Sequence, residues 1–275
     1  MTAKIPPAPF KIAALQMVST PDVARNLEAA HRLMAEAADA GVRLVALPEY
    51  FCLLGRNDRD KLAIAEDLDA GPIQAFLADS AERLGLWVVG GTLPLRTANP
   101  ERVRNSCGVW NPQGARVARY DKIHLFAFDN GRERYDEGRV LEPGTEPVAF
   151  DAEGWRIGLS VCYDLRFPEL YRRLMLPACD LIVVPSAFTH TTGAAHWALL
   201  LRARAVENQC YVLAPAQGGL HENGRRTWGH SLLAGPWGEL LACQPEGEAV
   251  VAGELSAERL AAVRQQLPAL LHRRM

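Results

Sequence analysis

No C-x-x-C pair, no bilayer-length apolar run and no marked surplus of either charge occurs in these 275 residues. Each absence removes a class of function. The six cysteines, at positions 52, 107, 162, 179, 210 and 243, lie too far apart for a zinc ribbon or a compact disulfide framework, so reduced thiols are expected. Thirty basic against 32 acidic side chains give a formal net charge of -2, which provides no electrostatic footprint for nucleic acid or an anionic membrane. Small neutral or mildly charged partners are expected instead. The opening MTAKIPPAPFK lacks the apolar stretch of about 7–15 residues typical of a signal peptide. No later run approaches the roughly 20 residues of a membrane helix, so a cytoplasmic protein is expected. Several enzyme fingerprints are missing too. No G-x-G-x-x-G follows a strand, no G-x-x-x-x-G-K-[ST] phosphate loop occurs, and H-E-x-x-H is absent. The serine-hydrolase elbow G-x-S-x-G fails because GLSVC (158–162) ends on cysteine.

What is present is an ordinary globular composition, 49% hydrophobic and 23% charged, in a chain near the upper size of a single core. Strand-like and helix-like text alternates. KIAALQMV (11–18) reads as a strand, after which Thr20 is placed as a helix cap, with Pro21 at the first helical position and Gly41 just past the end. RLVALPE (43–49) is a short strand and GPIQAFLADSAERLG (71–85) a helix. LWVVGGTLP, SCGVWNP and ARVARYDK follow as strands, the last two joined by a turn at NPQG (111–114). WRIGLSVC leads to a helix from about Phe167, then DLIVVPS (180–186), a long helix within 193–208, and QCYVLAPA (209–216). A hairpin around Pro236–Gly238, the strand EAVVAGEL and the helix SAERLAAVRQQL complete the chain. The pattern predicts helix-covered sheets in an α/β domain.

Three apolar runs stop on a reactive residue: RLVALPE on Glu49, ARVARYDK on Lys122 and GLSVC on Cys162. In open α/β sheets, ligands bind at the carboxyl ends of strands, so a carboxylate, an ammonium and a thiol are candidates to meet there. A thiol of pKa about 8.5 is only a few per cent ionised at neutral pH, so a cysteine nucleophile needs an adjacent base or a lowered pKa. Glu49 is a candidate base. Attack on a carbonyl makes an oxyanion, and a preorganised donor aimed at it is worth about 3–4 kcal/mol. Lys122 can supply that charge, together with the backbone N–H of Tyr163. Histidine is the more familiar partner of cysteine; His124, His190, His196, His221 and His230 are all available, and spacing singles out none.

LPEYF (47–51), YDKIHLFAFD (120–129) and GLSVCYDLRFPEL (158–170) resemble the three signature segments of the nitrilase superfamily of carbon–nitrogen hydrolases. The resemblance extends through PSAFTHTTGAAHWALLLRARAVENQCYVLAPAQGG and WGHSLLAGPWGELLA to the tail QLPALLHRR, in the manner of the deaminated glutathione amidase branch. It implies Glu49 as general base, Lys122 as oxyanion stabiliser, Cys162 as nucleophile and Glu137 as a further positioning glutamate, with Glu133 nearby. It implies a four-layer α-β-β-α sandwich of two mixed sheets, in one domain over 1–275 with a catalytic core of about 10–255 and a C-terminal helix and tail over 256–275. A homodimer or higher homo-oligomer is implied, without metal or cofactor. The substrate implied is a small carboxylate-bearing amide, deaminated glutathione-like, cleaved through a thioester, with N-carbamoyl compounds and nitriles as alternatives and a non-catalytic scaffold as the rival outside enzymes.

Two positions depart from the branch, Ala127 where many relatives carry Asp and Ala198 where Glu is common. Asp164, Arg166 and Glu169 read as ion pairs that hold the turn after the nucleophile. Arg132, Arg134, Arg139, Arg173, Arg225 and Arg226 are the candidates for a substrate carboxylate, and spacing does not choose among them.

Overall fold

Alternate residues of β1 (Phe10–Gln16) face two different cores, and this alternation dictates the architecture. Ile12 and Ala14 lie with Leu44, Ala46 and Val89 in one core; Ala13 and Leu15 join Val45 and Val88 in another. Strand side chains alternate with period two, so a strand apolar at successive positions must be covered on both faces. The computed structural model, which describes residues 7–274, covers them with a second sheet on one side and helices on the other.

The first sheet combines β1 with β2 (Leu44–Ala46), β3 (Trp87–Val89), β4 (Leu93–Arg96), β5 (Val103–Trp110), β6 (Arg116–Asp121) and, along the other edge, β17 (Ala249–Leu255). Strands β1, β2 and β3 run parallel, while β17 and β5 join them antiparallel. The second sheet has the order β16 (Leu240–Gln244), β15 (Ser231–Ala234), β12 (Tyr211–Ala214), β11 (Leu181–Val183), β10 (Trp155–Leu159), β9 (Val148–Ala152). Its central three strands are parallel and its flanks antiparallel. Helices α1 (Val23–Asp39) and α3 (Pro72–Leu84) bury Leu33, Met34, Leu77 and Ala81 on the first sheet. Helices α4 (Pro168–Arg173), α5 (His190–Asn208) and α6 (Ala257–Gln266) bury Tyr171, Trp197, Leu201 and Leu260 on the second. A one-turn helix, α2 (Asp60–Ala63), and two small hairpins, β7 (Ala127–Asp129) with β8 (Arg134–Asp136) and β13 (Gly218–Leu220) with β14 (Arg226–Trp228), lie outside the layers. The result is the expected four-layer α-β-β-α sandwich of two mixed sheets. Among the described residues no helix is long and apolar enough to cross a membrane.

The two sheets are also joined by a buried polar side chain. Gln16, fully buried, accepts the Ser231 N–H at 2.9 Å and donates to the Gly247 carbonyl at 2.8 Å. It thereby fixes the end of β1 against β15 and the turn before β17.

Three local expectations need correction. The cap of α1 is Asp22, not Thr20: its backbone is extended and its carboxylate accepts the Arg25 N–H at 3.2 Å. Thr20 and Pro21 lie outside the helix, where the Asn26 side chain accepts the Thr20 N–H at 2.7 Å. The segment 86–94 is two strands, because Gly91 turns left-handed at φ 55° and a Cβ there would sit 2.2 Å from the Pro48 carbonyl oxygen. Helix α5 begins at His190, three residues before the expected span, because the Thr189 side chain accepts the Thr192 N–H and starts it. The NPQG turn and the hairpin about Gly238 are as the sequence predicts. The hairpins β7–β8 and β13–β14 have three-residue strands, too short for an alternation to declare itself.

Candidate active site

The carboxyl ends of β2, β10 and β11 converge at one side of the sandwich, and Glu49, Cys162 and Ala187 follow them there. Close backbone packing sets the Glu49 loop. The missing Cβ at Gly91 lets Pro48 approach, Tyr50 turns at φ 58° with its N–H on Thr92 Oγ1 at 2.9 Å, and Gln217 donates to the Glu49 carbonyl at 3.1 Å. The buried Glu49 carboxylate then accepts Lys122 Nζ at 2.9 Å and Asn105 Nδ2 at 2.9 Å on one oxygen, and the Ala187 N–H at 3.0 Å on the other. Cys162 lies beside the same carboxylate, near enough to favour its ionised form.

Lys122 leaves the end of β6 with its N–H on the Asn105 carbonyl at 3.0 Å. Its side chain is fully buried between two carboxylates, reaching Glu49 at 2.9 Å and Glu137 at 2.8 and 3.1 Å. Glu137 opens the 3-10 turn Glu137–Arg139 and also accepts the Tyr50 hydroxyl and the Phe126 N–H, each at 2.7 Å. Glu133 points elsewhere, accepting the Thr191 hydroxyl at 3.1 Å. Of the two glutamates in this segment, Glu137 is the one in the cluster.

Cys162 begins the 3-10 turn Cys162–Arg166 in the left-handed region, at φ 48°. Such a conformation in a non-glycine residue costs about 1–3 kcal/mol and persists only where its surroundings enforce it. Here the Cys162 N–H is held by the Pro185 carbonyl at 2.9 Å. The fully buried Asp164 carboxylate accepts the Val161 N–H at 2.8 Å, the Tyr120 hydroxyl at 2.6 Å and the His124 N–H at 3.0 Å, with His124 Nδ1 at 2.7 Å. Asp164 thus holds the turn as expected, but through these partners. The expected ion pairs of Arg166 and Glu169 do not form: among the described residues neither pairs with a side chain of opposite charge, and Glu169 is exposed.

Burial and the charges of the cluster set the protonation states. Burial, aided by the charge of Glu137, raises Glu49 above the usual carboxylate range despite the Lys122 ammonium. Burial also works against ionised Glu137, but the Lys122 charge and the hydrogen bonds it accepts hold it below that range. For Lys122, burial disfavours the ammonium, yet Glu137 and Glu49 outweigh it and raise the pKa well above the usual lysine value. Burial and the Glu49 charge push the Cys162 thiol well above its ordinary value. The resting site is therefore a neutral thiol beside a carboxylate of raised basicity, with a locked ammonium behind both.

The cavity at the sulfur measures about 20 Å³ and is lined by Phe126, Tyr163, Arg166, Ala187 and Phe188, among others. None of the six arginines considered from the sequence lines it. Arg173 and Arg226 pair with Glu146 and Glu246, Arg134 approaches Asp129, Arg132 and Arg139 are exposed, and Arg225 lies over the Tyr135 ring. Arg166 does line it, with Nη1 3.2 Å from His196 Nδ1 and the guanidinium over the Tyr163 and Phe188 rings. Its position four residues after Cys162, within one tight turn, is the signal that could have revealed it. The five histidines serve other contacts: His124 meets Asp164, His196 meets Arg166, His221 bridges Ser19 and Thr227, and His190 and His230 pack on Trp228. Ala127 and Ala198 are exposed.

Comparison with known proteins gives a consistent picture. A family model described as carbon-nitrogen hydrolase matches residues 11–265. Deaminated glutathione amidase of Synechocystis sp. is 40% identical over 269 residues, covering 96% of this chain and 98% of that protein. Human omega-amidase NIT2 is 35% identical over 266 residues, covering 96% and 95%. The crystal structure of Saccharomyces cerevisiae Nit3, a member of branch 10 of the nitrilase superfamily, superposes with a TM-score of 0.89 at 28% identity, covering 100% of both chains.

Proposed function

The chain belongs to the carbon–nitrogen hydrolase family, and from that premise we propose a cysteine-dependent amidase in which Cys162 is the nucleophile and Glu49 the general base. The observation that carries this reading is the buried Glu49 carboxylate, which accepts Lys122 Nζ at 2.9 Å and lies beside Cys162. As the sulfur forms its bond to the amide carbon, Glu49 takes the thiol proton. The oxyanion is held by Lys122 and by the Tyr163 N–H. An ammonium has three donors; with one on Glu49 and one shared across Glu137, the third is free for the oxyanion. The C–N bond breaks as Glu49 returns the proton to the departing amine or ammonia, leaving a thioester. Water then adds with Glu49 taking its proton, and the C–S bond breaks as that proton returns to the sulfur.

This scheme fixes the acid limb of the pH profile. The base must be ionised, and Glu49 is raised above the ordinary value of 4.5, so activity falls as pH drops through a midpoint above 4.5. A kcat/KM profile flat down to pH 4 would exclude Glu49 as the base.

For substrate, the reading is a carboxylate-bearing ω-amide like deaminated glutathione. It is supported by Arg166, a cation at the sulfur with no acidic partner among the described residues. The test is a product-release screen over α-ketoglutaramate, deaminated glutathione, glutamine, N-carbamoyl amino acids, simple nitriles and butyramide, ranked by kcat/KM. Arg166→Gln should lower the preference for α-ketoglutaramate over butyramide by about 10–100-fold, the worth of a charge-assisted hydrogen bond. A preference left unchanged, or a nitrile or carbamoyl compound at the head of the ranking, overturns the substrate assignment.

The same reading treats the chain as one catalytic domain, with α6 docked on the core of about 10–255 through Leu260 and Val263. It also places the protein in the cytoplasm, in keeping with six unpaired cysteines, and as a homodimer. Leu199 and Val206, seven residues apart on the outward face of α5, are exposed beside the exposed Trp237 of the adjoining hairpin turn. An apolar stripe of that kind suits a second copy.

A further inference from the structure

Beside the sulfur's cavity lies a second chamber of about 250 Å³, walled by Tyr50 and Leu54 on one side and Tyr135 on the other. Tyr50 and Leu54 pack against Ala187, which lines the space at Cys162. Across the cleft, the Tyr135 ring lies 5.6 Å from that of Phe126, which covers the sulfur. The two chambers are therefore neighbours, linked by the Tyr50–Leu54–Ala187 cluster and by the Phe126–Tyr135 ring pair.

The second chamber is strongly cationic. Arg56, Lys61, Arg134 and Arg225 line it against a single acid, Asp58. Lys61 has a side chain only 13% exposed, its nearest carboxylate is Asp58 at 3.7 Å, and its ammonium sits 4.8 Å over the Tyr50 ring. Arg225 lies 5.2 Å over the Tyr135 ring and has no ion-pair partner among the described residues. The Lys61 ammonium makes no hydrogen bond among the described residues, so its surroundings do not replace the hydration it has lost; burial outweighs the attraction of Asp58, Glu137 and Glu49 and holds it below the usual lysine range. An arriving carboxylate supplies the missing partner.

We propose that this chamber is a second anion subsite, in which Lys61 and Arg225 take the terminal carboxylate on the leaving half of a peptide-like amide. The inference rests on the amidase reading above and extends it from the acyl half to the amine half. Deaminated glutathione carries two carboxylates, one beside the keto group of its acyl half and one on the glycine of the dipeptide that departs. With Arg166 beside the sulfur and Lys61 and Arg225 in the adjoining chamber, the cleft offers a cation for each. A primary ω-amide such as α-ketoglutaramate releases ammonia and has nothing to place in the second chamber.

The experiment compares kcat/KM for these two substrates in Arg225→Gln, in Lys61→Met, and in the double variant. The ratio of deaminated glutathione to α-ketoglutaramate should fall about tenfold in Arg225→Gln and further in the double variant, with the loss in KM. A ratio that does not move, either because both substrates decline together or because neither declines, overturns the proposal. If the wild type cleaves neither amide, the activity reading has failed, and titration with S-methylcysteinylglycine decides the subsite separately. Binding to the wild type that Arg225→Gln abolishes supports it; no binding to the wild type refutes it.

Discussion

Cys162→Ala should release no amine or ammonia from any amide the parent hydrolyses. The expected fall in turnover is about 10⁶-fold, the order seen when the nucleophile of a hydrolase is deleted. The variant should still fold and melt within a few degrees of the parent. Alanine is slightly smaller than cysteine and tolerates the φ of 48° equally poorly, and the bonds that enforce that turn, from Asp164 to Val161 and from Cys162 N–H to Pro185, involve no sulfur. Residual turnover near the parent level, measured on protein with an unchanged circular dichroism spectrum, would remove the thiol from the mechanism and with it the thioester.

Lys122→Met should cost both activity and stability, by different routes. Loss of the oxyanion donor lowers kcat by about 10²–10³-fold. Loss of the ammonium leaves Glu49 and Glu137 buried together without a counter-charge, and breaking a buried pair from one side costs about 3–5 kcal/mol. The pH dependence separates the two effects. In the parent, Glu137 titrates below its unfolded value of 4.5, so its contribution to stability is present above 4.5 and is lost as pH falls through the depressed value. In the variant the carboxylates titrate above 4.5, so they destabilise at neutral pH, and that penalty disappears as pH falls through the raised values. The stability gap between the two proteins in urea should therefore narrow from pH 7 to pH 5, and Lys122→Met/Glu137→Gln should recover part of the loss at pH 7 without recovering turnover. A gap that is constant with pH would mean that Lys122 stabilises the fold by packing and not by charge.

How far the site could be read from the chain follows from what each residue does. Glu49, Lys122 and Cys162 were legible because each ends an apolar run, and strand ends are where a sheet presents its chemistry. Glu137 was reachable only through resemblance: it opens a 3-10 turn after a three-residue strand, a context without periodicity. Arg166 was misread because charges at 164, 166 and 169 suggest mutual pairing, whereas the turn gives Asp164 to backbone N–H groups and to Tyr120 and His124, and directs Arg166 onto aromatic rings. The Ala187 N–H, which anchors the second oxygen of Glu49, is a backbone donor and leaves no mark in a sequence. The layers were predictable from alternating strand-like and helix-like text. The break at Gly90 and Gly91 was not, because it answers to the approach of Pro48 from a distant segment.

The strand whose two faces meet two cores raises a problem of alignment during folding. Sliding it by one position would trade Ile12 and Ala14 for Ala13 and Leu15 and bury nearly as much oil as before, so hydrophobicity barely distinguishes the frames. Gln16 does. A slipped strand would bring Leu15 or Met17 to the Ser231 N–H and the Gly247 carbonyl, stranding a donor and an acceptor in a dry interior, where each orphan costs about 1–3 kcal/mol. One amide thus proofreads the assembly of the sandwich, and the loops of the candidate site inherit their alignment from it.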